Sequence, residues 1–343
     1  MPQSDTQQHT TLADDGWPLS LRRYPPLVAR PGALPVLLQH GLGTSGLQFD
    51  LPVAHPSQPV PSLARWLSAR GHDVWVCDLR GGGDSAHPGR SGRHRWDWSV
   101  DDHLLHDMPA FVAYILGHAQ APQLHWVGHS MGGILLLAYC ALHGSSDIAS
   151  GIAAAAAFDY SASSSRYEFV VPLRKLGRLV RRVPAGALSR LLAPLAGRIH
   201  SPLEASFYHP PNMAPEAARA VAANQHDLSG ELLYQLATLF SPGGLLSHDG
   251  SRRYSDFASA VRTPILFLGG ERDLQCAPSV IARARASLQG AHHAVQFFGK
   301  SHGHAEHYGH FDLFSGIRAE SEVFPHVQRW LDGHDAAASQ ASR

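Results

Sequence analysis

An α/β fold is predicted here: a mostly parallel, twisted sheet flanked by helices, with one helical insertion. Three observations predict it. Short apolar runs recur, each ending in a Gly-rich turn that leads into a helical pattern, which is the signature of βα units around a buried sheet. That alternation lapses for about a hundred residues and then resumes. Hydrophobic residues make up 44% of 343, enough for a substantial core in one domain carrying one insertion.

The elements follow in order. Thr10 to Tyr24, around the turn Asp14-Asp15-Gly16, reads as an opening antiparallel hairpin. Pro35 to Gln39 is a short apolar strand running into His40-Gly41-Leu42-Gly43, and Ser62 to Ala69 has helical spacing. His72 to Asp78 runs into Arg80-Gly81-Gly82-Gly83, and Asp101 to Leu116 is again helical. Gln123 to Val127 runs into Gly128-His129-Ser130-Met131-Gly132-Gly133, with a helix over Gly132 to Leu142. Ile152 to Phe158 reads as the next strand. The lapse follows over residues 158–261, rich in Pro and Ala with amphipathic helical stretches, in the position of a lid or cap. Pro264 to Leu268 and Ala294 to Phe298 then resume the sheet. The expected organisation is core over 1–157, cap over 158–261, core over 262–331 and a frayed tail over 332–343.

Composition excludes several classes. Twenty-eight basic and 28 acidic side chains cancel, so nothing pulls the chain generally toward nucleic acid. Cys77, Cys140 and Cys276 are too few and too scattered for a disulfide framework or a zinc site. Met1 to Thr10 is polar and lacks the pattern of a signal peptide, and no apolar stretch reaches membrane-helix length, so a soluble, cytoplasmic protein is expected. Arg166 to Arg198 holds eight basic residues against Glu168 alone. That stretch admits two readings, a solvated face of snorkelling arginines or attraction to an anionic lipid surface.

Gly128-His129-Ser130-Met131-Gly132 is a G-x-S-x-G pattern between a strand and a helix. A serine on such a tight turn projects its hydroxyl into a cleft, and small neighbours let the turn close. The helix N-terminus behind it favours a developing oxyanion. The glycines of the His40 to Gly43 loop let main chain approach the same point, so the N–H groups of Leu42 and Met131 form the expected pair of oxyanion donors. Asp78 to Ser85 reads as a hydrogen-bonded structural turn. Its glycines do not open a dinucleotide-binding helix, and no cofactor is expected.

These residues resemble the α/β-hydrolase superfamily from about Thr10 to Leu331, and more closely its acid lipases of the gastric and lysosomal type. Leu38-Gln39-His40-Gly41-Leu42 is similar to their oxyanion loop, and Asp73-Val74-Trp75 with Arg80-Gly81 and Ser85 to their next strand and turn. Tyr308-Gly309-His310-Phe311-Asp312, followed by Gly316, Ala319 and Glu322-Val323-Phe324, is similar to their histidine motif. Polyhydroxyalkanoate synthases share a related core but use a cysteine where this chain has Ser130. The resemblance implies a Ser–Asp–His triad acting through an acyl-enzyme on a small ester with an apolar part. Its rivals are acyl transfer to an alcohol or thiol, and a non-catalytic ligand-binding relative.

The acid falls to Asp273, in the loop where the family places it, with Glu271 as nearest rival. For the base two arguments conflict. Spacing from the last strand favours His302 or His304, whereas the likeness picks His310, which Tyr308, Phe311, Leu313 and Phe314 surround with apolar anchors. The run His302, His304, His307 and His310 also has spacings that suit a loop-borne metal ion, but no cysteine or H-E-x-x-H helix supports one, and surface histidines are the expectation.

Overall fold

Eight strands form one sheet in the order β1-β2-β4-β3-β5-β6-β9-β10 in a computed structural model of the protein. They are β1 (Gln7–Leu12), β2 (Pro18–Tyr24), β3 (Val36–Gln39), β4 (Val74–Asp78), β5 (Leu124–His129), β6 (Ile148–Ala154), β9 (Ile265–Gly270) and β10 (Ala294–Phe298). A separate two-stranded pair joins β7 (Arg182–Val183) to β8 (Leu228–Ser229). The structure describes residues 5–53, 56–58, 60–88, 94–144, 146–161, 179–198, 201–202, 204–290 and 292–341, with side chains to residue 335.

β1 and β2 pair antiparallel, β2 meets β4 antiparallel, and every other neighbour is parallel. β3, β4, β5 and β9 are buried at every residue. Helices cover both faces of such strands, which is why they read as unbroken apolar runs and not as alternation. Edge strand β1 is polar and mostly exposed, a composition that discourages further pairing. The helix Met131–His143, buried from Met131 to Cys140, packs against β5 and β6.

Three expectations are corrected. β6 lies over Ile148–Ala154, four residues before the expected Ile152 to Phe158. Ala155, at φ +51°, leaves the strand, yet Ala155 to Phe158 stay buried. A continuous apolar run does not distinguish a buried strand from the buried loop that extends it. The helix expected over Asp101 to Leu116 starts at Val100, ends at Ala119, and contains a widened π turn over His103–Asp107. That turn carries the fully buried Asp107, which accepts from Arg80 Nε and pairs with His103 Nδ1, both at 2.8 Å. The supposed tail is the end of a helix over Phe324–Ala341. Asp332 and Asp335 pair with Arg30, and Asp335 also takes the Leu34 N–H at 2.9 Å and His125 Nε2 at 3.0 Å. Polar composition concealed those partners, which lie 210 to 305 positions away in sequence.

Between β6 and β9 the described residues contribute no strand to the main sheet; they form the small β7–β8 pair and short helices such as Ala185–Leu192, Pro215–Ala223 and Gly230–Leu236. Of the basic stretch, Arg166, Glu168, Arg174, Lys175 and Arg178 lie outside the described residues. Arg182 pairs with Asp227, and Arg190 donates to the Gln225 carbonyl at 2.8 Å. No helix among the described residues is long and apolar enough to cross a membrane.

Candidate active site

Gln39 on β3 pairs with Gly128 on β5, Gly128 with Ala153 on β6, and Ala153 with Phe267 on β9. The carboxyl ends of these parallel strands are therefore level, and the loops leaving them share one edge, where open α/β sheets place their ligands.

Ser130 sits between β5 and the following helix at φ +53°, ψ −120°, a conformation an L-residue adopts only under constraint. Its N–H donates to the Ala154 carbonyl at 2.8 Å, and its carbonyl accepts from Gly133 and Ile134. Packing enforces the turn. A Cβ on Gly132 would lie 2.3 Å from the Gln39 carbonyl oxygen, and one on Gly41 would lie 3.0 Å from Ser130 Cβ. The loop after β3 thus rests directly on the serine turn, next to Met131, whose N–H at the start of the helix has no intrahelical partner.

His40 braces that loop. Its Nδ1 donates to the Gly41 carbonyl at 2.8 Å and its Nε2 accepts the Leu79 N–H at 3.1 Å, a pattern that needs a neutral ring. Burial supplies one by pushing the imidazole down to about 3. Below it, the turn after β4 is hydrogen-bonded as expected. Asp78 accepts the N–H groups of Gly46 at 2.7 Å and Asp84 at 2.9 Å, and burial raises its carboxyl to about 6.

Asp273 follows β9 and is buried. Its Oδ1 accepts the N–H groups of Gln275 at 2.8 Å and Cys276 at 2.9 Å, and its Oδ2 meets His310 Nδ1 at 2.8 Å. Glu271 turns elsewhere, to His307 Nδ1 at 3.0 Å and the Ser301 N–H. His304 bonds to Gly299, and His302 is exposed beside Phe297. Only His310 of that run reaches the serine's cavity among the described residues.

The His310 segment is tied down from several sides. Arg272 N donates to the Tyr308 carbonyl and Phe311 N to the Phe207 carbonyl, each at 2.8 Å. Asp312, fully buried, accepts from Gly309 N, His209 N and Asn212 Nδ2, and burial pushes its carboxyl up to about 7. Glu322 takes the Tyr308 hydroxyl and the Ala305 N–H, both at 2.8 Å.

Leu42, Ser130, Met131 and His310 line one cavity of about 370 Å³. Its other walls are mostly apolar and come largely from the segment between β6 and β9, including Phe207, Leu236 and Phe240. Sequence reasoning did not find these wall residues, because amphipathic spacing alone does not say what a helix face covers. It also passed over His40 and His129, although both stand inside motifs already singled out.

A family model described as the alpha/beta hydrolase fold matches residues 35–316. The chain belongs to that family. Among curated proteins, this α/β hydrolase is similar to Lipase 1 of Drosophila melanogaster, 31% identical over 143 residues, or 40% of this chain and 30% of that protein. It is also similar to the gastric triacylglycerol lipase of Homo sapiens, 30% identical over 133 residues, covering 37% and 32% of the two chains. The chain thus matches about a third of the length of these relatives. Among solved structures, a thermophilic esterase from Thermogutta terrifontis superposes with a TM-score of 0.60 at 17% identity, over 97% of this chain and 100% of that one. A Paleococcus ferrophilus monoacylglycerol lipase gives 0.59 at 20% identity, over 92% and 99%. At those identities the structures show the shared fold.

Proposed function

We propose that this α/β hydrolase is a metal-independent serine esterase of lipase-like type, working through an acyl-enzyme on Ser130. The observation that carries the reading is the 2.8 Å bond from His310 to Asp273 beside a cavity that Ser130 and His310 both line. With Nδ1 committed to Asp273, Nε2 is the nitrogen left to accept the Ser130 proton as Oγ attacks the acyl carbon. Asp273 holds the ring and stabilises the imidazolium. The N–H groups of Leu42 and Met131 receive the negative charge on the tetrahedral oxygen. The alcohol leaves with the proton from His310, and water, activated by the same base, then releases the acid.

Apolar walls from the segment between β6 and β9 suit an ester with a sizeable apolar part, and that segment, residues 158–261, acts as the cap. The two curated relatives, both lipases by name, point the same way. The test combines a fluorophosphonate probe with p-nitrophenyl esters of increasing chain length, with and without an acceptor alcohol. Ser130 should be the labelled residue, and Ser130→Ala should lose about 10⁴-fold or more in kcat while keeping its fold. Retention of more than a few per cent of activity in Ser130→Ala ends the reading, and ester product with the acceptor in place of free acid would make the protein an acyltransferase.

A further inference from the structure

We infer that His129, the residue before the candidate nucleophile, is a positioning residue that sets the distance between Ser130 and His310; this rests on the ester-hydrolase reading of the site. His129 Nε2 lies 3.1 Å from the His310 carbonyl oxygen. A carbonyl only accepts, so Nε2 carries the proton and donates. The two rings lie 4.6 Å apart, centre to centre, and the His129 ring also meets Phe311 at 5.3 Å and Phe314 at 5.7 Å. The side chain is therefore held in one orientation.

The other hydrogen bonds to the main chain of residues 308–311, among the described residues, come from Arg272, Phe207, Asp312, Phe314 and Ser315. None of those residues is on the element that carries the serine. His129 is the last residue of β5, one peptide bond from Ser130. Its grip on the His310 carbonyl makes the position of the base follow the position of the nucleophile, whatever the cap does. A side chain that both fills the space and donates from the Nε2 position is required there, which Phe, Leu or Ser would not supply.

The ring must also stay neutral, because a second cation 4.6 Å from His310 would oppose the imidazolium formed during catalysis. Complete burial, with His310 beside it, holds the His129 imidazole well below its usual range. Its Nδ1 is buried and has no hydrogen-bond partner among the described residues, and a Cβ on Gly41 would lie 3.5 Å from it.

The experiment compares His129→Phe, which keeps a flat ring and loses the donor, with His129→Gln, whose amide N–H reaches about where Nε2 lies. Parent and variants are assayed on p-nitrophenyl butanoate, melted, and examined by proton NMR for the downfield His310 Nδ1 proton shared with Asp273. His129→Phe should lose about tenfold to a hundredfold in kcat with KM within twofold, the scale of a slightly misplaced catalytic group. It should also broaden or shift the downfield proton, and His129→Gln should recover most of both. A His129→Phe enzyme within twofold of the parent in kcat, or an unmoved downfield proton, overturns the inference, as does a Gln variant no better than Phe. A parent that hydrolyses no ester and takes no probe at Ser130 sinks the ester-hydrolase reading instead, and the NMR comparison still decides whether His129 positions His310.

Discussion

Asp273→Asn is nearly isosteric, yet the hydrogen bonds around Asp273 make it the most informative change at the site. Oδ1 accepts two backbone N–H groups, from Gln275 and Cys276, so in the asparagine the carbonyl oxygen must occupy that position. The opposite orientation would set an NH₂ against two N–H donors and leave them buried without acceptors, at about 1–3 kcal/mol each. The amide nitrogen therefore faces His310 Nδ1, 2.8 Å away, as a donor. Nδ1 must become the acceptor, the ring proton moves to Nε2, and the lone pair that should take the Ser130 proton disappears. In a serine protease triad the corresponding wrong-tautomer change lowers kcat by about 10⁴, and the same order is expected here. Asp273→Ala imposes no tautomer and should be no worse than the asparagine. Initial rates on p-nitrophenyl butanoate, with the His310 tautomer read from its ¹⁵N resonances, check both steps. An asparagine variant keeping a tenth of the parent kcat, or one with Nδ1 still protonated, would refute the reasoning.

Two further expectations concern stability. Burial raises the Asp312 carboxyl to about 7, above the value near 4 of an unfolded aspartate, so the folded state binds the proton more tightly. Its contribution is full below about pH 4 and is lost as pH rises through about 7, and Asp312→Asn should flatten the decline in urea midpoint between pH 5 and pH 8; an equally steep decline in the variant counts against it. Asp335→Ala removes one of the two carboxylates paired with Arg30 together with the acceptor for His125 and the Leu34 N–H, so urea unfolding should show a loss of about 3 kcal/mol. A loss under about 1 kcal/mol would mean that the closing helix is held by its apolar face alone.

What the sequence made legible, and what it did not, divides along a physical line. Strands β3, β4, β5, β9 and β10 were readable because each is a short apolar run that stops at a turn, and the turns after β3 and β5 carry the glycines that pack around Ser130. Glu271 and Asp273 could be told apart only through a family likeness, and their partners differ for a reason no spacing contains: the backbone N–H groups of residues 275 and 276 converge on one carboxylate and not the other. β6 was misplaced because burial continued beyond the strand. The end of the closing helix was taken for a tail because Asp332 and Asp335 owe their order to Arg30, at the far end of the chain. Cap helices were recognisable as helices, but the residues they present to the cavity follow from how they are docked, and docking is a tertiary fact.

The long crossover between β6 and β9 has a consequence in time. Ser130 and the loop it rests on lie before it, whereas Asp273 and His310 lie after it, and His310 follows Ser130 by 180 residues. At about 5–20 residues per second on the ribosome, roughly ten to forty seconds pass between synthesis of the hydroxyl and synthesis of its proposed base. Throughout that interval the emerging chain holds a serine without a proton acceptor. On the proposed mechanism, an unfinished or truncated polypeptide would be chemically silent, with its reactivity switched on only as the last quarter of the chain arrives and docks.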